Sequence, residues 1–270
     1  MALIDRLLAD GRRCMANVVL ATIRQFNRWC EVRELTDRDP TAKISKADAG
    51  GKEKPRDRTL SVEEIELLRD LLPASGLPER AQRAVWLILA TGVRAGELAG
   101  ARIEHVDLHS ATWYLPKTKN GDEHLIHLSP FALMQVRALV RLADGSPFLM
   151  PGRTAPGADP TPVSEKQLTK QITDRQRAAP LPGRSKATGS LVLPRGLWRP
   201  HDLRRTMATP MRRELRVSSD VIERCLNHRP QGIVATYQVD ELLDERGDAF
   251  LRWGAKLAEI TGAGLRVVAT

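Results

Sequence analysis

At 270 residues and 30.0 kDa, the chain is long enough for one well-buried core and a smaller one, and 42% hydrophobic with 28% charged residues fits a globular protein. Lys and Arg outnumber Asp and Glu by 42 to 33, a formal charge of +9, which points toward a polyanionic partner. No apolar run approaches the roughly 20 residues of a bilayer-crossing helix, the opening MALIDRLLADGRR lacks a signal-peptide pattern, and the scattered Cys14, Cys30 and Cys225 suit neither a disulfide nor a zinc framework; membrane and secreted classes are thereby excluded and a cytoplasmic protein is expected.

Residues 12–35 predict a helix, with Val19, Ile23, Phe26 and Cys30 at helical spacing and arginines on the other face. Residues 36–59 turn polar and carry Asp39-Pro40, Gly50-Gly51 and Lys54-Pro55, the marks of a linker. Ser61-Val62-Glu63-Glu64 has the form of a capping box and opens a helix to Leu72. A more apolar helix spans 79–91 and is expected to be central, ended by Gly92. Segments 113–116 and 123–128 flank Lys119-Asn120-Gly121 and predict a β-hairpin. Helices are expected at 130–142 and 164–177, then near His201, Ser219, Gly232 and Glu241. Between them, residues 178–200 are rich in Pro, Gly and Arg and read as a mobile or DNA-contacting loop, with Arg184 and Lys186 as candidate contacts. The fold class is mainly α with a small antiparallel β-sheet.

Five separated elements carry candidate chemistry. Thr91-Gly92-Val93-Arg94-Ala95-Gly96-Glu97 puts an arginine just past a glycine-ended buried helix, where its planar fork can grip two phosphate oxygens and Glu97 can orient it. Lys119, on the hairpin turn, can reach toward DNA and protonate a leaving oxygen, with Lys117 as a neighbour and alternative. His201 and Arg204, three apart, share a helical face, whereas Arg205 faces elsewhere, toward a DNA backbone. His228 ends the helix that begins at Ser219, and Tyr237 follows it within LNHRPQGIVATY. A phenol, with an ordinary pKa of about 10, becomes a competent nucleophile where cationic groups favour its deprotonation and stabilise the pentavalent transition state.

The order TGVRAGEL, KTKNG, HDLRRTMAT, LNH and then tyrosine resembles the tyrosine recombinases, in particular phage-type and genomic-island integrases, over about residues 58–253. The resemblance implies a catalytic set of Arg94, Lys119, His201, Arg204, His228 and Tyr237, with Tyr237 as nucleophile. It implies residues 1–45 as the remnant of an N-terminal helical core-binding domain, 46–59 as linker and 60–270 as catalytic domain with a C-terminal tail helix, the chain beginning partway through the first. It also implies double-stranded DNA with attachment-type sites as partner, a homotetramer on DNA, a monomer when free, and room for accessory DNA-bending proteins. Asn227 stands where the family commonly has glycine, and Pro210 falls inside the helix of His201, where it could shift Arg204. The tail, with Phe250, Trp253 and Leu257, is expected either on a neighbouring subunit or on its own domain.

Other chemistries find no support in the residues. His105 and His109 sit among acids and turn residues, and His124 and His127 fall on opposite faces of a strand. Phosphate-binding glycine loops, H-E-x-x-H and paired-carboxylate sets are missing from the sequence, so no metal and no cofactor is expected. Two rival readings remain, a DNA-binding integrase remnant without catalysis and a type IB topoisomerase-like enzyme that relaxes DNA.

Overall fold

The computed structural model describes residues 2–155, 157–228 and 242–263. The chain divides into two units, Met1–Arg56 and Asp57–Thr270.

In the first unit, α1 (Ala2–Ala9) and α2 (Arg13–Val32) enclose a small cluster of Ile4, Leu7, Ala16, Leu20 and Ala49. The buried side of α2 is Ala16, Asn17, Leu20 and Asn27, while Phe26 is 62% exposed and stacks on Trp29. This departs from the expected apolar face, because α2 uses amides rather than hydrocarbon to hold the following segment. The Asn17 carboxamide accepts from the Gly50 N–H at 2.8 Å and donates to Gly51 O at 3.0 Å and Glu53 Oε1 at 2.8 Å. Asn27 donates to Asp39 Oδ1 at 2.7 Å. Part of the segment expected as linker therefore lies against α2. Gly50 is needed there, since a Cβ would fall 1.9 Å from Arg13 O.

The second unit begins with α3 (Val62–Ala74), whose Ser61–Glu64 capping box forms as expected: the Glu64 N–H donates to Ser61 Oγ, and Glu64 Oε2 accepts from the Ser61 N–H at 3.1 Å. The buried Glu64 carboxylate also pairs with Arg58 at 2.7 Å. Helix α4 (Glu79–Thr91) is apolar on nearly every side, with Ala84, Val85, Leu87, Ile88 and Leu89 fully buried. It is the central rod of the core, packed by α6 (Pro130–Leu142) and α8 (Pro200–Arg213).

After α4 come the short α5 (Ala95–Ala99), a 3₁₀ turn at Ile103–His105, and strands β1 (Val106–Asp107), β2 (Thr112–Leu115) and β3 (His124–His127). They form one antiparallel sheet in the order β1-β2-β3, with Trp113 opposite Ile126 and both fully buried. Helices α7 (Glu165–Arg175) and α9 (Ser219–Cys225) follow α6 and α8 respectively. The latter part of segment 178–200 is anchored, with Leu191, Leu193 and Trp198 buried and the Trp198 indole donating to Leu191 O at 3.1 Å, while residues 178–183 are exposed. Pro210 lies within α8 without ending it, six residues beyond Arg204.

Helix α10 (Leu243–Thr261) packs on its own unit. Phe250, Trp253 and Leu257 are buried, and the Trp253 indole donates to Leu89 O of α4 at 2.8 Å. No described helix is long and apolar enough to cross a membrane.

Candidate active site

Arg94 owes its position to Gly92. Gly92 turns left-handed at φ 65° after α4, and a Cβ there would lie 2.5 Å from Met207 Cε and 2.9 Å from Leu226 Cδ2. Only glycine both turns the chain and lets α8 and the residue after α9 come this close. The chain then runs extended through Arg94 into α5. Glu97 accepts the Arg94 backbone N–H at 3.0 Å and Nη1 at 2.7 Å, and Nη2 donates to Asn227 O at 3.2 Å. Glu97's side chain is only 9% exposed, so solvent screens the pair little.

Arg204 rises from the first turns of α8 and is 4% exposed. Its fork donates to Gly92 O and to Leu226 O at 2.8 Å, and Nη2 lies 3.4 Å from His228 Nε2. Burial first, and the positive charge of Arg94 second, draws its pKa down to about 10, so it stays protonated at neutral pH. His201, one turn earlier, is held below the ordinary histidine value by desolvation and by Arg205 and Arg204. An imidazole so placed is neutral at neutral pH and able to accept a proton. Arg205 stands 3.9 Å from the buried Asp202.

Helix α9 ends in a Schellman motif that sets the next two groups. The His228 N–H reaches Glu223 O at 2.9 Å and the Asn227 N–H reaches Arg224 O at 3.0 Å, with Asn227 left-handed at φ 49°. Asparagine tolerates that conformation better than other non-glycine residues, which accounts for its standing where glycine is common. The turn carries the His228 ring to Arg204. Nδ1 lies 2.6 Å from Glu223 Oε2, so Nδ1–H donates to the carboxylate and Nε2 presents its lone pair to the guanidinium.

Lys119 sits on the β2–β3 turn, closed by the Gly121 N–H to Thr118 O at 2.9 Å. The Lys119 N–H points to Glu97 Oε1 at 3.4 Å. On either side of it, Asn120 Nδ2 donates to Asn227 O at 2.9 Å and Thr118 Oγ1 accepts from Asn227 Nδ2 at 2.9 Å.

Arg94, Lys117, Lys119, His201 and Arg204 line one open cleft of about 840 Å³. Its charged lining comprises six cations (Arg94, Arg102, Lys117, Lys119, Arg199, Arg204) and two carboxylates (Glu97, Glu165), and Glu97 is already committed to Arg94. Such a surface favours an anion with several charges. Arg184 and Lys186 do not line it. Arg184 pairs with Asp174 at 2.7 Å, and Lys186 is exposed on the same loop. Tyr237 lies outside the described residues. Sequence reasoning did not find the site roles of Glu223, Asn120, Asn227 and Arg199. Only Asn227 left a signal, as an unusual residue beside His228.

Comparison with known proteins fits this layout. The model of the phage integrase family matches residues 58–241. Prophage integrase IntZ of Escherichia coli K12 is 26% identical over 226 residues, covering 83% of this chain and 50% of that protein. Tyrosine recombinase XerC of Lactobacillus delbrueckii subsp. bulgaricus is 26% identical over 211 residues, covering 76% of this chain and 66% of that protein. The chain thus spans about half to two thirds of the curated relatives it matches. In fold it resembles the lambda integrase tetramer bound to a Holliday junction, at a TM-score of 0.62 and 16% identity over 89% of this chain and 63% of that one. It likewise resembles a lambda integrase dimer on a COC′ core site, at 0.60 and 17% over 85% and 77%. With the family model spanning most of the chain, from just before α3 through the segment that holds Tyr237, the protein belongs to the phage integrase family.

Proposed function

We propose that the protein is a site-specific DNA recombinase that cleaves and rejoins duplex DNA through a 3′-phosphotyrosyl intermediate on Tyr237. The observation that carries this reading is the coupling of two guanidiniums and an imidazole at one wall of a cationic cleft. Arg204 and Arg94 donate to the backbone of Leu226 and Asn227, and His228 follows directly at Arg204. Fixed donors of this kind stabilise charge that develops on a phosphate in the transition state without reorganising.

Arg94 and Arg204 clamp the non-bridging oxygens of the scissile phosphate, and His228 supports them by accepting a hydrogen bond from the Arg204 guanidinium. The Tyr237 oxygen attacks phosphorus while its proton passes to neutral His201. The bond from phosphorus to the 5′ oxygen breaks, and Lys119 gives that oxygen its proton. One phosphodiester becomes one phosphotyrosine and one 5′ hydroxyl. Attack by a partner strand's 5′ hydroxyl reverses the step, so the number of phosphoester bonds is unchanged throughout. Lys117, Arg205 and Lys186 contact the flanking backbone, and Arg184 joins them by exchanging Asp174 for a phosphate. The protein works in the cytosol as a homotetramer on attachment-type sites and as a monomer when free, with accessory DNA-bending proteins where the site demands them.

A duplex nicked close to the cleavage site, from which the short 5′-hydroxyl fragment diffuses away, traps the intermediate. The native protein is expected to form a covalent adduct that Tyr237→Phe cannot form. Equal adduct from both would overturn the assignment.

A further inference from the structure

Asn227 occupies the junction of three parts of the cleft. Its left-handed backbone closes α9, its carbonyl receives both Arg94 Nη2 at 3.2 Å and Asn120 Nδ2 at 2.9 Å, and its carboxamide donates to Thr118 Oγ1 at 2.9 Å. Thr118 is 5% exposed, so this bond forms away from bulk water, where a lost partner leaves a buried hydroxyl poorly satisfied. Lys119 lies between Thr118 and Asn120, and its own N–H faces the carboxylate that grips Arg94. The hairpin turn is therefore tied to Asn227 at both flanks of the lysine, while the lysine side chain stays exposed at the cleft.

The two ties are not equivalent. The Asn120 bond uses a backbone carbonyl that any residue at 227 would supply. The Thr118 bond needs the side chain. Glycine at 227 would adopt the left-handed turn at least as easily and keep every backbone contact, yet leave Thr118 without that donor.

We infer that Asn227 is a positioning residue for Lys119: its carboxamide latches the β2–β3 turn through Thr118 and so registers the lysine ammonium against the scissile phosphate that Arg94 and Arg204 hold. The inference rests on the cleavage reading above. Positioning of an acid matters only while the leaving 5′ oxygen needs a proton. An alkoxide leaves poorly unprotonated, whereas a thiolate, whose conjugate acid has a pKa near 8.5, leaves without one.

The experiment measures single-turnover adduct formation on nicked duplexes carrying either the ordinary 5′ bridging oxygen or a 5′ bridging sulfur at the cleavage site. Four single variants are compared with the native protein, Asn227→Gly, Thr118→Val, Lys119→Ala and Tyr237→Phe, together with the Asn227→Gly/Thr118→Val double variant. On the oxygen substrate, Asn227→Gly and Thr118→Val are each expected to slow adduct formation about 10-fold, and together no more than either alone, because both cut the same bond. Lys119→Ala is expected to lose on the order of 100-fold or more. On the sulfur substrate all three recover the native rate. Equal slowing on both substrates, or no slowing on either, overturns the positioning role whatever the variants' melting temperatures. Adduct from Tyr237→Phe with the sulfur substrate overturns the cleavage reading itself, an outcome separate from the latch.

Discussion

Arg204 is a buried side chain that holds the fold together at the place where the proposed chemistry would occur. Its fork donates to the carbonyls of Gly92 and Leu226 and meets the His228 ring, tying the end of α4, α8 and the end of α9 into one wall. Removing it as alanine would strand two acceptors at a cost of about 1–3 kcal/mol, so loss of activity and loss of fold would be confounded. Arg204→Lys keeps the charge and most of the stem, yet cannot fork. We expect it to retain the native far-UV spectrum while adduct formation on nicked DNA falls by roughly 10²–10³, the usual cost of one transition-state donor. A rate within threefold of native would show that charge alone suffices. The arginines were legible from their settings, one past a glycine-ended apolar helix and one sharing a face with His201. Asn120 was not, because its role exists only once α9 and the hairpin turn meet across more than 100 residues of chain; Glu223 was not, because its bond to His228, five residues on, depends on how the chain turns after α9.

Among the elements, those with strong local signals matched their expected spans closely. Helix α4 ends at Gly92 and α6 opens with a Ser129 cap and Pro130, and both signals are written in adjacent residues. Helix α2 defeated the periodicity argument, because Asn17 and Asn27 are buried to bond a loop while Phe26 and Trp29 face out. Apolar spacing reports what a helix could bury, not which partner arrives. The sheet shows a further consequence of tertiary placement. His124 on β3 is 7% exposed, and its Nδ1 lies 3.2 Å from Arg246 Nη2 of α10. Desolvation and then Arg246 lower its pKa from 6.5 to about 3, outweighing a hydrogen bond with the Cys225 backbone. Because the folded value lies below the unfolded one, the unfolded chain binds the extra proton between these limits. Stability from this group is full above pH 6.5 and declines as pH falls toward 3, at up to about 1.4 kcal/mol per unit. Urea midpoints of His124→Gln are expected to fall less steeply with acid than the native ones over this window. Identical slopes would assign the acid sensitivity elsewhere.

At the scale of the whole molecule, the two units rest on different physics. The second is built around α4, with Trp113, Trp198, Trp253 and Phe250 all fully buried about a continuous aliphatic core. The first has 56 residues and, among those described, a core of five buried apolar side chains, two of them alanines. Chains of that size gain only marginal stability from hydrocarbon burial. Much of its remaining order comes from polar side chains of α2, the Asn17 and Asn27 carboxamides and the Arg13 and Arg24 guanidiniums, and such hydrogen bonds contribute about 1 kcal/mol each because water competes for the same groups. The first unit should therefore open locally well below the free energy of global unfolding, which polar composition around residues 36–59 hinted at without showing where the amides would bind. Native-state hydrogen exchange checks this directly. The Leu20 amide in α2 is expected to exchange at least about 100-fold faster than that of Ile88 in α4, a gap of roughly 3 kcal/mol, and to depend little on low urea. Ile88 should exchange only through global opening, with the full urea dependence. Equal protection and equal urea slopes at the two amides would mean that the chain opens as one cooperative body, and the weak-core account of the first unit would fail.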